Sequence, residues 1–294
     1  MNIEFKQSRD FGQIINDTFT FIKQNFKPLI KTYFVFCGIF VLGSMVAMLL
    51  QQFKSVNLFN SAGTAGAARD PFLGLRSLMS LEYLIAIIFS LATYVSMLTA
   101  ILSYIALYVR KGNIAPSTDE VWAYFKYYFF RIFGSAIPLI LMLAVGFVFC
   151  LIPGFYLFPF IAMIFPIMVI ENGEFGYSFS RSFKIIKDNF WLTFGTLIVI
   201  WVIVYACMSA VVLPTTLFSM VGLFSQSSPH MSMVLTMMTT VLQSLCQVFT
   251  IIPLVTITLC YFSLVERKES AGLMERISNF GNGNDPLSLP DEEY

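Results

Sequence analysis

The sequence predicts an all-α polytopic membrane bundle of about six transmembrane helices, accompanied by three amphipathic interfacial helices. Three observations predict this fold class. Hydrophobic residues make up 57% of the 294 residues and charged residues only 12%, whereas a soluble domain has about 25% charged residues. The apolar residues fall in six long runs. The basic residues, in turn, concentrate in alternate connections between those runs.

Each of the six apolar runs is long enough to cross a bilayer, which takes about 20 apolar residues in a helix. The runs cover residues 29–50, 82–109, 134–152, 155–171, 192–213 and 234–265. The stretch Ile152-Pro153-Gly154 separates the third run from the fourth, and Pro and Gly together favour a tight turn. The sequence therefore predicts a helical hairpin over 134–171 rather than one long helix.

The positions of the basic residues predict the orientation of the bundle. All but three of the 18 Lys and Arg residues lie before the first span or at its start, in the second-to-third and fourth-to-fifth connections, or after the sixth span. The opposite connections hold only Lys54, Arg69 and Arg76. Because basic residues collect on the cytoplasmic side of membrane proteins, both termini are expected in the cytoplasm. The expected location is the cytoplasmic membrane.

Three cytoplasmic segments, 11–27, 122–132 and 179–190, carry apolar side chains at helical spacing. The three stripes are Phe11, Ile15, Phe19, Ile22 and Phe26; Trp122, Phe125, Phe129 and Ile132; and Phe179, Phe183, Ile186 and Phe190. Basic residues accompany each stripe, a pattern typical of helices that lie at the level of the lipid headgroups.

The basic residues of these segments are candidate ligands for anionic headgroups on the cytoplasmic side. They are Lys23, Lys27, Lys126, Arg131, Arg181, Lys184 and Lys187. The alternative is that they only determine the topology of the chain. Membrane lipids, with a membrane-protein partner as a second candidate, are therefore the expected partners. Nucleic acid is not expected, because the net charge is only +1.

The interfacial segments also align with one another without gaps. Residues 19–33 match 122–136 and 183–197, with a Lys at 23, 126 and 187 and a Phe at 26, 129 and 190. A unit of one interfacial helix and two spans is therefore expected three times, over about 10–112, 115–173 and 176–269. Together these units form a single membrane domain, 1–280. Residues 281–294, rich in Gly, Asn and Pro and then acidic, are expected to be disordered.

The sixth run carries a polar stripe whose members recur at helical spacing: Thr236, Thr240, Gln243, Gln247 and Thr250. This stripe either lines a permeation path or makes hydrogen bonds between helices, worth about 0.6 kcal/mol each in membranes. Packing is the preferred interpretation. Small residues recur at the same spacing over 92–106 of the second run, so the two stripes are candidates to face each other.

The sequence contains no pattern that predicts catalysis. His230 is the only histidine, so a metal site with two histidines cannot form within one chain, and no phosphate-binding loop motif is present. No charged residue lies in the middle of a proposed span, which argues against a proton-driven pump. No catalytic, metal or cofactor site is therefore expected, and the chain is not expected to be an enzyme.

Three stretches, 9–27, 151–157 and 174–195, resemble a bacterial family of multi-spanning membrane proteins of undefined role. That family is similar to the membrane domain found beside some glycerophosphodiester phosphodiesterases. The catalytic phosphodiesterase domain, with its metal ligands, is absent from this sequence, so its activity does not carry over. The resemblance implies a helical bundle of undefined role in a bacterial cytoplasmic membrane. The expected function is a non-enzymatic envelope protein that organises lipids or assists a partner. The alternative is a small-solute facilitator or a transporter subunit.

Overall fold

The computed structural model describes residues 3–62, 81–149, 151–224 and 229–270, together with residue 274. These residues are almost entirely helical, and no strand occurs among them. The α-helices are α1 Phe11–Gln24, α2 Phe26–Ala62, α3 Leu81–Arg110, α4 Thr118–Phe149, α5 Leu151–Ile170, α6 Phe175–Ile186, α7 Phe190–Phe224, α8 Pro229–Cys246 and α9 Ile251–Glu269. The predicted acidic tail, 281–294, lies outside the described residues.

Among the described residues, six helical stretches are long and apolar enough to cross a membrane. They are Phe26–Phe53, Tyr83–Arg110, Thr118–Phe149, Pro153–Ile170, Phe175–Phe218 and Met237–Glu269. The number of spans and their positions agree with the sequence prediction. The chain is therefore a multi-pass membrane protein with an all-α bundle.

The connecting segments differ in how they join their spans. Helices α1 and α6 end at Asn25 and at the 3₁₀ turn Lys187–Asn189, whereas α4 is one continuous helix through its interfacial segment and its span. The sequence alignment places Asn25 and Asn189 opposite Tyr128 of α4. Asparagine side chains compete with the backbone for hydrogen bonds and favour helix ends, so α4, with a tyrosine there, continues without a break.

Helices α4 and α5 form the predicted hairpin, with one refinement. Pro153 and Gly154 lie in the first turn of α5 rather than in the connection. A Cβ on Gly154 would lie 2.6 Å from the ring of Phe147, and one on Gly146 would lie 3.3 Å from the backbone of Gly154. The two glycines therefore allow the helices to approach closely where the hairpin begins.

The sixth predicted run, 234–265, is not a single α-helix. Helix α8 is followed by the 3₁₀ turn Gln247–Thr250, and only then does α9 begin. Pro253 lies in the first turn of α9. Because proline has no N–H and its ring clashes with the carbonyl four residues earlier, it disturbs the helix that precedes it. A short 3₁₀ segment is a common response.

The interior of the bundle consists of α3, α5 and α9. Within the most apolar parts of these three spans, 56%, 61% and 72% of the residues are buried, against 33%, 22% and 22% in the spans of α2, α4 and α7. The outer spans thus keep most of their apolar side chains available to lipid. An inner span follows an outer span three times along the chain. This order matches the proposed unit, and the repeat itself stays a prediction.

Candidate functional site

The segments predicted to be cytoplasmic meet at one end of the bundle. Their charged residues form ion pairs, most of which join segments distant in sequence. The N–O distances are 3.2 Å for Arg267–Asp10, 2.7 Å for Lys268–Asp188, 2.6 Å for Arg181–Glu269 and 2.6 Å for Lys111–Glu120. This shared end is called the charged end below. Its existence agrees with the predicted clustering of basic residues.

A buried arginine, Arg9, binds the N-terminal segment to α9 at the charged end. The side chain of Arg9 is inaccessible, and its Nε donates to Asp17 Oδ2 at 2.7 Å while its Nη1 donates to the Phe5 carbonyl at 2.8 Å. Its backbone N–H donates to Ser263 Oγ at 2.9 Å, and Arg267 donates to its carbonyl at 2.8 Å. These bonds hold α1 against α9.

The predicted headgroup cations divide into two groups. The lysines have exposed side chains and project from the charged end: Lys23, Lys27, Lys126, Lys184 and Lys187. The ammonium of Lys126 also lies 5.0 Å from the ring centroid of Trp122, within reach of a cation–π interaction. The outward lysines are therefore the members of the set that a headgroup can reach.

The two arginines of the set bind other protein groups instead. Arg131 donates to Asn172 Oδ1 at 3.1 Å. Arg181 lies between two carboxylates, with N–O distances of 3.2 Å to Glu171 and 2.6 Å to Glu269. Arg181 thereby joins the end of α5 to the end of α9, and its first role is structural.

An aromatic cavity of about 560 Å³ opens between α5, α6 and α7. Its walls include Phe155, Phe160, Phe183 and Trp191, and Lys187 is the one charged residue that lines it. The rings of Phe160 and Phe183 stack with their centroids 4.2 Å apart and form part of the wall. Trp191 is 79% exposed, so the mouth of the cavity faces the surroundings of the protein.

Local structure explains why these side chains converge. The 3₁₀ turn Lys187–Asn189 joins α6 to α7, so Phe183 before the turn and Phe190 after it line the same cavity. Phe160 reaches them because α5 precedes α6 and packs against it. Sequence reasoning identified Lys187, Phe183 and Phe190 but missed the side chains of α5. The aromatic density of 155–160 was the available signal.

The three predicted apolar stripes do not face the same way. In α1 the stripe is turned outward, since Phe11, Phe19 and Phe26 are exposed while Ile14 and Phe21 on the neighbouring side are buried. In α4 and α6 the corresponding stripes pack against aromatic side chains of α2 and α5. The first segment therefore keeps its phenylalanines partly exposed, although Ile22 of the same stripe packs against the core.

The polar stripe of the sixth run has mixed surroundings. Thr240 Oγ1 accepts a hydrogen bond from Gln52 Nε2 at 2.9 Å, and Thr250 Oγ1 lies 3.0 Å from the sulfur of Met97. Gln243 is exposed. The side chain of Thr236 lies outside the described residues. The Thr250 contact brings the stripe against α3, the helix that carries the small residues.

The described residues contain no group of three or more His, Cys, Asp or Glu side chains placed to hold a metal ion. The side chain of His230 lies outside that part of the chain. Comparison with protein-family models, with curated proteins and with solved structures finds no match to this chain. The resemblance to bacterial membrane domains therefore stays a prediction, and the geometry of the charged end carries the functional argument.

Proposed function

We propose that this chain is a multi-pass protein of the cytoplasmic membrane, with both termini in the cytoplasm, that binds anionic phospholipids at its charged end. It acts as a non-enzymatic envelope protein that organises lipids or assists a membrane-protein partner. The observation that carries this proposal is the position of Lys187, an exposed cation on the wall of an aromatic cavity that opens beside Trp191.

This arrangement suits the two chemical parts of a phospholipid. A lysine near the membrane surface attracts an anionic headgroup with about 1 kcal/mol. An open apolar cavity beside it can take part of an acyl chain, and exposed tryptophan prefers the membrane–water interface. The volume of about 560 Å³ falls within the range of small-molecule sites, roughly 300–1,000 Å³.

Helix α1 supports an interfacial position for the charged end. At 100° per residue, the buried side chains Ile14 and Phe21 share one side of α1, whereas the exposed Phe19 and Lys23, four positions apart, share another. A helix at the edge of a bilayer turns one side toward the protein and presents apolar and cationic side chains together on its exposed side. Lys23 and Lys27 then lie where anionic headgroups are found.

Lipid retention tests the proposal. The protein is purified from detergent-solubilised membranes, and bound phosphatidylglycerol is quantified by native mass spectrometry. Lys187→Gln is expected to reduce retention about fivefold, the equivalent of about 1 kcal/mol, and Trp191→Leu is expected to reduce it as well. The matched controls are Lys111→Gln, which removes a cation paired with Glu120, and Trp201→Leu, which removes another exposed tryptophan of α7. Equal retention in all four variants would contradict the proposal.

Cysteine labelling tests the orientation independently. Single cysteines are placed at 60, 115, 180 and 225 in a variant without the five native cysteines. In right-side-out membranes a membrane-impermeant maleimide is expected to label positions 60 and 225 and to spare 115 and 180. The reverse pattern would refute the proposed topology and place the charged end outside the cell.

A small-solute facilitator or transporter subunit is the second candidate, and one observation favours it. The Oε1 atom of Gln247 is buried without a hydrogen-bond partner among the described residues, as are the hydroxyls of Ser96 and Ser103 on α3. Unpaired polar atoms inside a bundle can be satisfied by water or by a solute. Solute uptake by proteoliposomes that is lost in Gln247→Leu would favour this candidate over lipid binding.

A further inference from the structure

A second cavity, of about 660 Å³, lies at the charged end and differs from the aromatic cavity in chemistry and in every lining residue. It is formed where the N-terminal segment, the end of α3, the start of α4, the end of α5 and α9 meet. Its lining includes the cations Lys6 and Arg110 and the hydroxyls of Tyr124 and Tyr128. No segment of the chain supplies this set alone.

The polar groups of this second cavity are held in place by one another. Arg110 Nη1 donates to the hydroxyl oxygen of Tyr124, which leaves the proton of that hydroxyl available to a ligand. The hydroxyl of Tyr128 lies 3.2 Å from Asn172 Oδ1, and the same oxygen accepts from Arg131. A third cation therefore stands directly behind the wall of the cavity.

The one carboxylate among the described residues that line the cavity, Glu171, accepts hydrogen bonds at both of its oxygens. Glu171 Oε1 accepts from Arg181 Nε at 3.2 Å and from the Tyr261 hydroxyl at 2.7 Å, and its Oε2 accepts from the Tyr177 hydroxyl at 2.7 Å. Its negative charge is partly compensated by Arg181, which Glu171 shares with Glu269. The described lining contains two cations, Lys6 and Arg110, against this one carboxylate.

The remaining wall is apolar. Val109, Val169, Ile170 and Phe262 line the cavity beside the cations. A site for a small inorganic anion alone would not need such a surface. The combination of guanidinium, ammonium and hydroxyl donors with an aliphatic and aromatic wall matches an organic molecule that carries a negatively charged phosphate group.

We propose that this second cavity binds the phosphate group of an organic phosphate, either a phospholipid headgroup or a soluble phosphate ester. Arg110 pairs with the phosphate oxygens, and the Tyr124 hydroxyl donates to another of them. The apolar wall contacts the organic part of the ligand. This site is separate from the lipid site at Lys187 and does not depend on it.

Binding of phenyl phosphate tests the soluble form of the ligand. The full chain is purified in dodecyl maltoside, a detergent without a phosphate group, and binding is followed by titration calorimetry. Arg110→Gln is expected to weaken binding about tenfold and Tyr124→Phe about threefold, as for the loss of a charged and of a neutral hydrogen bond. The matched controls Lys111→Gln and Tyr127→Phe remove neighbouring groups that do not line the cavity, and they are expected to bind as the original chain does.

Phosphatidylglycerol tests the lipid form. Retention of this lipid, measured by native mass spectrometry without phenyl phosphate, is expected to fall in Arg110→Gln and to recover in Arg110→Lys, with unchanged thermal unfolding in both. A loss in either assay that is specific to Arg110 and Tyr124 supports the site and identifies the source of the phosphate. The site is refuted if both ligands bind equally to all variants or to none. Lys187→Gln, which tests the proposed function, is expected to leave phenyl phosphate binding unchanged.

Discussion

Helices α1 and α6 carry the same apolar pattern and use it in opposite ways. Phe19 and Phe183 are equivalent in the sequence alignment, but Phe19 is 40% exposed whereas Phe183 stacks on Phe160 at 4.2 Å. In α1 other side chains, chiefly Ile14 and Phe21, pack against the rest of the protein. The comparison teaches that a stripe of helical period identifies an apolar face but does not say whether protein or lipid covers it.

The difference follows from what stands beside each helix. Helix α6 follows α5 after a short connection and packs along it, so its stripe meets the aromatic residues of α5. Helix α1 packs instead on α9, where the hydroxyls of Thr18 and Thr256 lie 3.2 Å apart. Small polar contacts of this kind occupy only one side of α1 and leave Phe11 and Phe19 partly exposed.

The largest expected effect is a difference in the free energy of unfolding between alanine variants at two nearby positions of α1, Phe21 and Phe19. Phe21 is fully buried, with ring centroids 5.1 Å from Phe5 and 5.3 Å from Tyr108, so Phe21→Ala should leave a cavity and lower the free energy of unfolding by about 3 kcal/mol. Phe19→Ala should lower it by less than about 0.5 kcal/mol, as for an exposed position. Denaturant unfolding in mixed micelles measures both. Equal losses would mean that α1 packs differently.

The next effect compares equivalent positions of α1 and α6. Phe183→Ala removes the ring that stacks on Phe160 and should destabilise the protein by about 2 kcal/mol, because the site is only partly buried. Phe19→Ala serves as the matched control, since it deletes the same side chain at the aligned position. The same unfolding assay applies. If Phe19→Ala proved the more damaging change, the opposite use of the two stripes would be disproved.

A smaller effect is expected at the aligned asparagines. Asn25 is buried, donates to the Phe21 carbonyl at 3.2 Å and accepts from the Tyr104 hydroxyl at 3.1 Å, so Asn25→Ala should cost about 1.5 kcal/mol. Asn189→Ala, at the less buried equivalent position, should cost less than about 0.5 kcal/mol. A double-mutant cycle with Tyr104→Phe should show coupling for Asn25 alone. Absence of coupling between Asn25 and Tyr104 would show that their hydrogen bond does not contribute to stability.

The smallest effect concerns the polar stripe of α8 and the 3₁₀ turn after it. Gln243→Leu combined with Gln247→Leu should change the free energy of unfolding by less than about 0.5 kcal/mol, because one side chain is exposed and the other leaves a buried oxygen unpaired. Expression and thermal unfolding measure the outcome. A loss of more than about 2 kcal/mol would show that these amides bind other helices strongly.

Much of the bundle is predictable from local sequence. The apolar runs and the basic connections lead to six spans with one charged end, and Pro153 and Gly154 locate the α4–α5 hairpin within a few residues. The 3₁₀ turn at Gln247–Thr250 is less predictable, although Pro253 indicates a disturbance there. These features depend on residue types and their spacing, and both can be seen in the sequence.

The sites are less predictable because they depend on contacts between distant segments. Lys187 stands out as a basic residue, but its cavity requires Phe160 of another helix. The second cavity draws on positions from Lys6 to Phe262, and nothing in the order of the residues brings them together. Arg181 likewise resembles a headgroup ligand in the sequence, and only its contacts with Glu171 and Glu269 show that it is held within the protein.

The bonds between Arg9 and α9 have a consequence for the way the protein is made. Arg9 and Ser263 are 254 positions apart, so α1 leaves the ribosome long before its partner exists. Until α9 is translated, α1 can contact α3 through Phe21 and Tyr108, but the bonds between Arg9 and α9 cannot form. Docking of the N-terminal segment on α9 is therefore a late step of biogenesis, and damage to α9 is expected to loosen α1.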